Sequence, residues 1–269
     1  MCRHDLVAHN TSPQRTVNVY QIQPTFTGSI SSCWVSSPVM SKGNKSPRKS
    51  CVRCGECCLG SSPSLHIKDL PLLETGVIPR KALFTVRKGE TVWDNISRRV
   101  TVADREMIKV REREESGKGC VFYDEAGKAC SIYLHRPAQC SAMKCWDPSD
   151  FLKVYSSPKL ERSHLLSGGA LTLIAEHEKR CAYGKLEDLV AQIRDNGEES
   201  VREILNMLRF DSDLRPMASE KLAIESSELD FLFGRPLTRT IRKYGLTVIQ
   251  QSDDSFLLTS SACQQEERG

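Results

Sequence analysis

Apolar positions recur at helical spacing through the second half of the chain. Leu186, Leu189, Val190 and Ile193 fall at i, i+3, i+4 and i+7, and Val201, Ile204, Leu205 and Leu208 repeat the interval after the break at Asn196 and Gly197. Two amphipathic helices follow from that pattern. A further helix is expected over 171–181, with shorter ones over 227–233 and 237–244. The sequence GLTVIQQSDDSFLLTS predicts a closing β-hairpin that turns at Ser252, Asp253 and Asp254. The first half has a different rhythm. His66, Ile67, Leu70, Leu72 and Leu73 suggest one short helix within 65–77, with Ser64 as N-cap and Gly76 near its end. LFTVRKGE, REMIKVRE and CVFYD predict strands from their β-branched and aromatic content, and residues 125–128 predict a hairpin turn between Cys120 and Cys130.

Residues 1–50 are rich in Ser, Thr, Asn and Pro and carry no sustained apolar period, so a disordered leader is expected there, with Met40 an alternative start. The domain expectation is a cysteine-rich module over 51–147, a mainly helical region of the same globular unit over 148–260, and a polar tail over 261–269. The expected fold class is α+β: a small cysteine-rich sheet and loop module packed with a C-terminal helical region and a terminal β-hairpin.

Composition bears on compartment and partners. With 39% hydrophobic and 27% charged residues the chain is too polar for a membrane protein. No window approaches the roughly 18 consecutive apolar residues of a spanning helix. The opening residues also lack the apolar run of roughly 7 to 15 residues that a secretory signal needs. The expectation is a cytoplasmic protein with no membrane partner. The formal charge is only +4, and its local source, Lys42, Lys45, Arg48, Lys49 and Arg53, has no aromatic residues interleaved. That argues for a solvated linker and against a nucleic-acid partner.

In the cytoplasm thiols stay reduced, so twelve cysteines in one chain point to metal or redox chemistry rather than disulfides. In CVRCGECC, Cys51, Cys54 and Cys57 stand at successive x2 spacings, which lets a loop curl two sulfurs onto one metal, with Gly55 permitting the tight backbone. The same run matches the opening of a bacterial ferredoxin ligand pattern, which favours an iron-sulfur cluster over a zinc ion. Cys58 adds a constraint, because adjacent side chains on an extended chain point to opposite sides. Cys120, Cys130, Cys140 and Cys145 supply the remaining candidate ligands. Arg136, between Cys130 and Cys140, is placed to donate to anionic sulfur as a second-shell cation, and Arg53 and Lys144 are further candidates for that role. His177 and Cys181, one helical turn apart, form a secondary candidate pair. Cys2, Cys33 and Cys263 fall in the leader or the tail and are excluded.

CVRCGECC followed by GCVFYDEAGKACSIYLHRPAQCSAMKCW resembles the YkgJ-type cysteine cluster, or CxxCxxCC, family over residues 51 to about 147, through the element CxIYxxRPxxC and the cysteine that follows it. The resemblance implies chelation of zinc or iron. Flagellin lysine N-methylases carry a related cluster, so protein modification is one implied activity. No GxGxxG loop for a methyl donor and no CxxxCxxC radical motif accompanies it here, which leaves catalytic residues and substrate open. The leading expectation is a metal-binding protein with a structural or redox-active centre. The alternatives are an enzyme that uses the centre, with a pocket beside it, and a structural zinc module, with a closed four-thiolate shell, that recognises a protein or nucleic-acid partner.

Overall fold

The computed structural model describes residues 50–113 and 119–260, together with two short strands, β1 (Asp5–Ala8) and β2 (Val17–Tyr20). The remainder of the leader, Met40 included, and the tail after residue 260 lie outside the described residues.

The first half alternates short helices with small antiparallel pairs. In chain order it comprises α1 (Glu56–Gly60), α2 (Leu70–Glu74), β3 (Leu83–Val86), β4 (Thr91–Asp94), β5 (Arg99–Val102), β6 (Met107–Val110), β7 (Tyr123–Asp124), β8 (Ala129–Cys130), α3 (Ala138–Ala142) and α4 (Ser149–Tyr155). β3 pairs with β6 in the register Leu83↔Val110, while β4 and β5 form a hairpin inserted between them. That hairpin was not anticipated, because its apolar pattern is inverted. Trp93, Val100 and Val102 are exposed, and Val92 turns inward onto Phe84, Val86 and Ala103. The helix expected over 65–77 is split into a 3-10 turn over Ile67–Asp69 and then α2, with Gly76 at φ +73° just beyond it. Its cap is not Ser64, whose backbone N–H instead donates to Gln139 Oε1 at 2.9 Å. Of CVFYD only Tyr123 and Asp124 are strand; Cys120 accepts the N–H of Tyr123 in a turn.

The second half is helical, as its periodicity predicts: α5 (Gly169–Arg180), α6 (Tyr183–Gln192), α7 (Gly197–Leu222), α8 (Leu229–Phe233) and α9 (Leu237–Thr240). α7 runs nearly four turns past the last apolar repeat read from sequence, through Pro216 to a left-handed Ala223. Leu214 and Ala218, on either side of the proline, are buried, and that packing offsets the lost helical bond. The chain closes with β9 (Leu246–Gln250) and β10 (Phe256–Ser260), an antiparallel pair extended by β2 and β1 in the order β1-β2-β10-β9. The architecture is therefore mixed α+β.

Two large cores organise the described residues, beside the small cluster of Phe84, Val86 and Ala103. One joins α6, α7 and α9 to the terminal hairpin through Leu186, Ile204, Leu208, Leu237, Ile241 and Leu258. The other joins β3, β6 and the cysteine loops to α5, α7 and α8, with Cys120 and Tyr123 packed beside Leu83, Ile108, Phe231 and Phe233, and Cys58 and Leu59 at its margin. Several polar groups buried between these halves pair across them, which offsets their desolvation. Thr85 donates to the Phe231 carbonyl at 2.6 Å, Arg87 pairs with Glu178 at 2.9 Å, and Arg162 bridges Glu106 and Glu178 at 2.6 and 2.7 Å. The sheet edge that supports the cysteine loops is thus fastened to the helices.

Candidate metal centre

The CVRCGECC segment forms a curl followed by one helical turn. Arg53 (φ +53°) and Gly55 (φ +79°) are both left-handed, and they reverse the chain so that Gly55 caps α1. The Gly55 carbonyl accepts the N–H groups of Cys58 and Leu59, both at 2.8 Å. A side chain at Gly55 would run into the hydroxyl of Tyr123, so glycine is required by the close approach of β7 as well as by φ. Because Cys57 and Cys58 lie in a helix and not on an extended strand, their sulfurs share one side, with Sγ atoms 4.0 Å apart. A tetrahedral zinc site with Zn–S near 2.3 Å has its sulfurs about 3.8 Å apart, so the adjacent pair fits one edge of a four-thiolate site. The opposition expected of neighbouring residues presumed an extended chain.

Backbone contacts bring the second cysteine group to the first. The Cys58 carbonyl accepts the N–H of Cys120 at 2.8 Å, an approach that Gly119 (φ +85°) permits. Tyr123 stands opposite Cys130 in the β7–β8 pair, which carries Cys130 to the same region. α3 delivers Cys140. Its first N–H, on Ala138, donates at 2.8 Å to Asp69 Oδ1, while Asp69 Oδ2 accepts the His66 N–H at 2.9 Å. Gln139, next to Cys140, is held by His66 Nε2 at 3.1 Å and by the Ser64 N–H. His66 Nδ1 faces the Pro158 carbonyl and the Ser157 hydroxyl. A neutral ring that donates from Nδ1 to Pro158 and accepts at Nε2 satisfies all of these bonds. His66, Asp69 and Gln139 are buried and position the cysteine helix. Sequence reasoning left them out, since an isolated His, Asp or Gln carries no spacing signal.

Electrostatics tie five thiols into one group. A hydrogen bond from the Cys58 thiol, aided by the Arg136 guanidinium, lowers the Cys57 pKa to about 6. Cys58 is pushed up by that same bond, by burial, and by the negative charges of Cys57, Cys140 and Cys130. Burial raises Cys120 to about 11, with Cys130 adding to the rise, and Cys140 is raised by burial together with Cys120, Cys130 and Cys57. Thiols that hinder one another's ionisation are released by a shared cation, which turns them into thiolate ligands. Arg136 supplies part of that compensation. Its guanidinium lies 3.9 Å over the Tyr133 ring, its Nε is buried without a hydrogen-bond partner, and it lowers both Cys57 and Cys140. Arg53 stacks over the same ring at 5.1 Å, whereas Lys144 is engaged by Asp150 at 2.6 Å.

The other candidates fall at the margin or elsewhere. Cys51 and Cys54 are exposed on the curl, where Cys51 Sγ accepts the Arg53 N–H at 3.4 Å, and Cys145 is exposed in the turn between α3 and α4. His177 and Cys181 are buried in the helical half. His177 Nε2 meets Asp211 at 2.8 Å, and the Cys181 thiol donates to the Met207 carbonyl at 3.8 Å. Among the described residues no disulfide is present, and no three Cys, His, Asp or Glu side chains are already closed around a common metal position.

Fold and site together define an α+β protein with a thiol-rich module clamped onto a helical scaffold. Residues 50–159 match the CxxCxxCC family model, described as "Putative zinc- or iron-chelating domain". No solved structure matches the chain.

Proposed function

We propose that the protein is a thiolate metalloprotein whose centre is held by Cys57, Cys58, Cys130 and Cys140, with Cys120, Cys51, Cys54 and Cys145 available to complete it. The observation that carries this reading is the convergence of α1, β8 and α3 on one group of mutually perturbed thiols beside Arg136. Eight cysteines exceed the needs of one mononuclear ion, which favours an iron-sulfur cluster over a single zinc. Such a cluster supplies one-electron redox chemistry, and the chain's own residues supply its ligands, its compensating cation and its packing. Reduced thiols of this kind suit a cytoplasmic protein, and among the described residues no helix is long and apolar enough to cross a membrane.

A second reading, an enzyme that uses the centre, is favoured over a closed structural zinc module by one feature. Cys51, Cys54 and Cys57 are exposed, and a cleft adjoins α3, which suits an open coordination shell.

Anaerobic purification from iron-replete cells, with metal and acid-labile sulfide analysis and a visible spectrum, tests the proposal. Iron and sulfide with visible absorption are expected. A colourless protein that holds zinc and no sulfide overturns the iron-sulfur assignment. A protein that holds neither metal, and takes up neither when reconstituted, overturns the whole reading.

A further inference from the structure

On the side of α3 away from its buried Gln139 lies a cleft of about 390 Å³ between the 3-10 turn with α2 on one side and Arg136 with α3 on the other. Its size falls in the range of small-molecule sites, which are apolar with a few polar groups that fix orientation. Pro71, Leu72 and Ala142 contribute apolar wall. Two cations, Lys68 and Arg136, also line it, and among the described residues neither has a carboxylate within ion-pair distance. Asp69 is the one carboxylate in the lining, and it is buried with each oxygen already accepting a backbone N–H, from His66 and from Ala138. It is therefore poorly placed to neutralise either cation. Arg136 is held in place by its stack on Tyr133, and its Nε is buried without a partner.

We propose that this cleft binds a small organic anion, with an apolar body against Pro71, Leu72 and Ala142 and a carboxylate or phosphate that pairs with Lys68 and Arg136. Guanidinium offers a planar fork to such a group and ammonium a point charge, so the pair suits an oxyanion over a neutral polar ligand. The inference deepens the metal-centre reading, because Arg136 also faces Cys57 and Cys140.

The test titrates the metal-loaded full chain calorimetrically with benzoate and, separately, with phenyl phosphate, and assays metal content in the same samples. Saturable binding of at least one probe is expected, and comparison of the two says which oxyanion the cleft prefers. Lys68→Ala should weaken that binding about tenfold, the scale of one lost charge pair of about 1.4 kcal/mol. Ala142→Phe should block it sterically while leaving both cations in place. Absence of saturable binding for both probes, or binding unchanged in both variants, overturns the proposal. Full metal content without anion binding counts against the cleft alone, whereas anion binding in a chain that takes up no metal counts against the metal centre alone.

Discussion

Asp69 accepts the N–H of Ala138 at 2.8 Å, and through that bond a loop buried far upstream in the chain fixes the start of the helix that carries Cys140. Its other oxygen holds the His66 N–H, so one carboxylate registers two segments against each other. Asp69→Ala leaves both buried donors unsatisfied and should cost about 2 to 4 kcal/mol. Asp69→Asn keeps one acceptor and should cost about half as much. Urea unfolding of the two variants checks the ratio, and equal losses would show that the two bonds do not contribute separately.

Gly55 is constrained from two directions, by φ +79° and by the Tyr123 hydroxyl at the place where a side chain would begin. Gly55→Ala should destabilise the protein by about 1 to 3 kcal/mol, from the left-handed backbone and the displaced ring. It should also lower metal uptake, since α1 starts at this residue. Gly60→Ala, where nothing lies within 4 Å of the added atom, is the control and should leave both properties nearly unchanged.

The helices of the second half were legible because each buries one stripe, and a 3.6-residue period survives in the sequence. The terminal hairpin was legible from its alternation and its Ser252–Asp254 turn. α1, α3 and α4 were not, because helices of five to seven residues are too short to show a period and are held by outside partners, as Asp69 holds α3. The β4–β5 hairpin was hidden by its solvent-facing Trp93 and Val100. At the site, thiol spacing announced the candidate ligands, but the sequence could not place Cys57 and Cys58 on one side, since that depends on whether the segment is helical. Asp69, His66, Gln139 and Tyr123 act across long stretches of chain, and no local spacing records them.

Acid should loosen the fold above the range where carboxylates titrate. His66 and His177 are both buried, and burial holds both pKa values below the ordinary value. Between an unfolded pKa near 6.5 and the lower folded value, the unfolded chain binds protons that the folded chain refuses. The contribution of the two histidines is therefore fully present above about pH 6.5 and falls as the pH drops, by up to about 1.4 kcal/mol per pH unit for each. Urea midpoints of the metal-free, reduced protein from pH 7.5 to 5 measure the slope. His66→Gln should make it shallower. A slope that His66→Gln leaves unchanged would mean that His66 is protonated in the folded state.

A serine series separates the thiols that hold metal from those that pack. Cys140 sits on the positioned helix amid Cys57, Cys120 and Cys130, so Cys140→Ser should abolish stable metal binding, and Cys130→Ser should do the same. Cys181 is fully buried in the helical core and donates to the Met207 carbonyl. Serine there can keep a hydrogen bond to the same carbonyl, so Cys181→Ser should retain the full metal complement at a cost of about 1 kcal/mol in stability. Cys145 is exposed beyond α3, and Cys145→Ser should lower affinity without preventing assembly. Metal per chain and unfolding midpoint, measured on the same preparations, distinguish the cases. Loss of metal in Cys181→Ser with its stability intact would move a ligand into the helical half, and retention in Cys140→Ser would remove α3 from the centre.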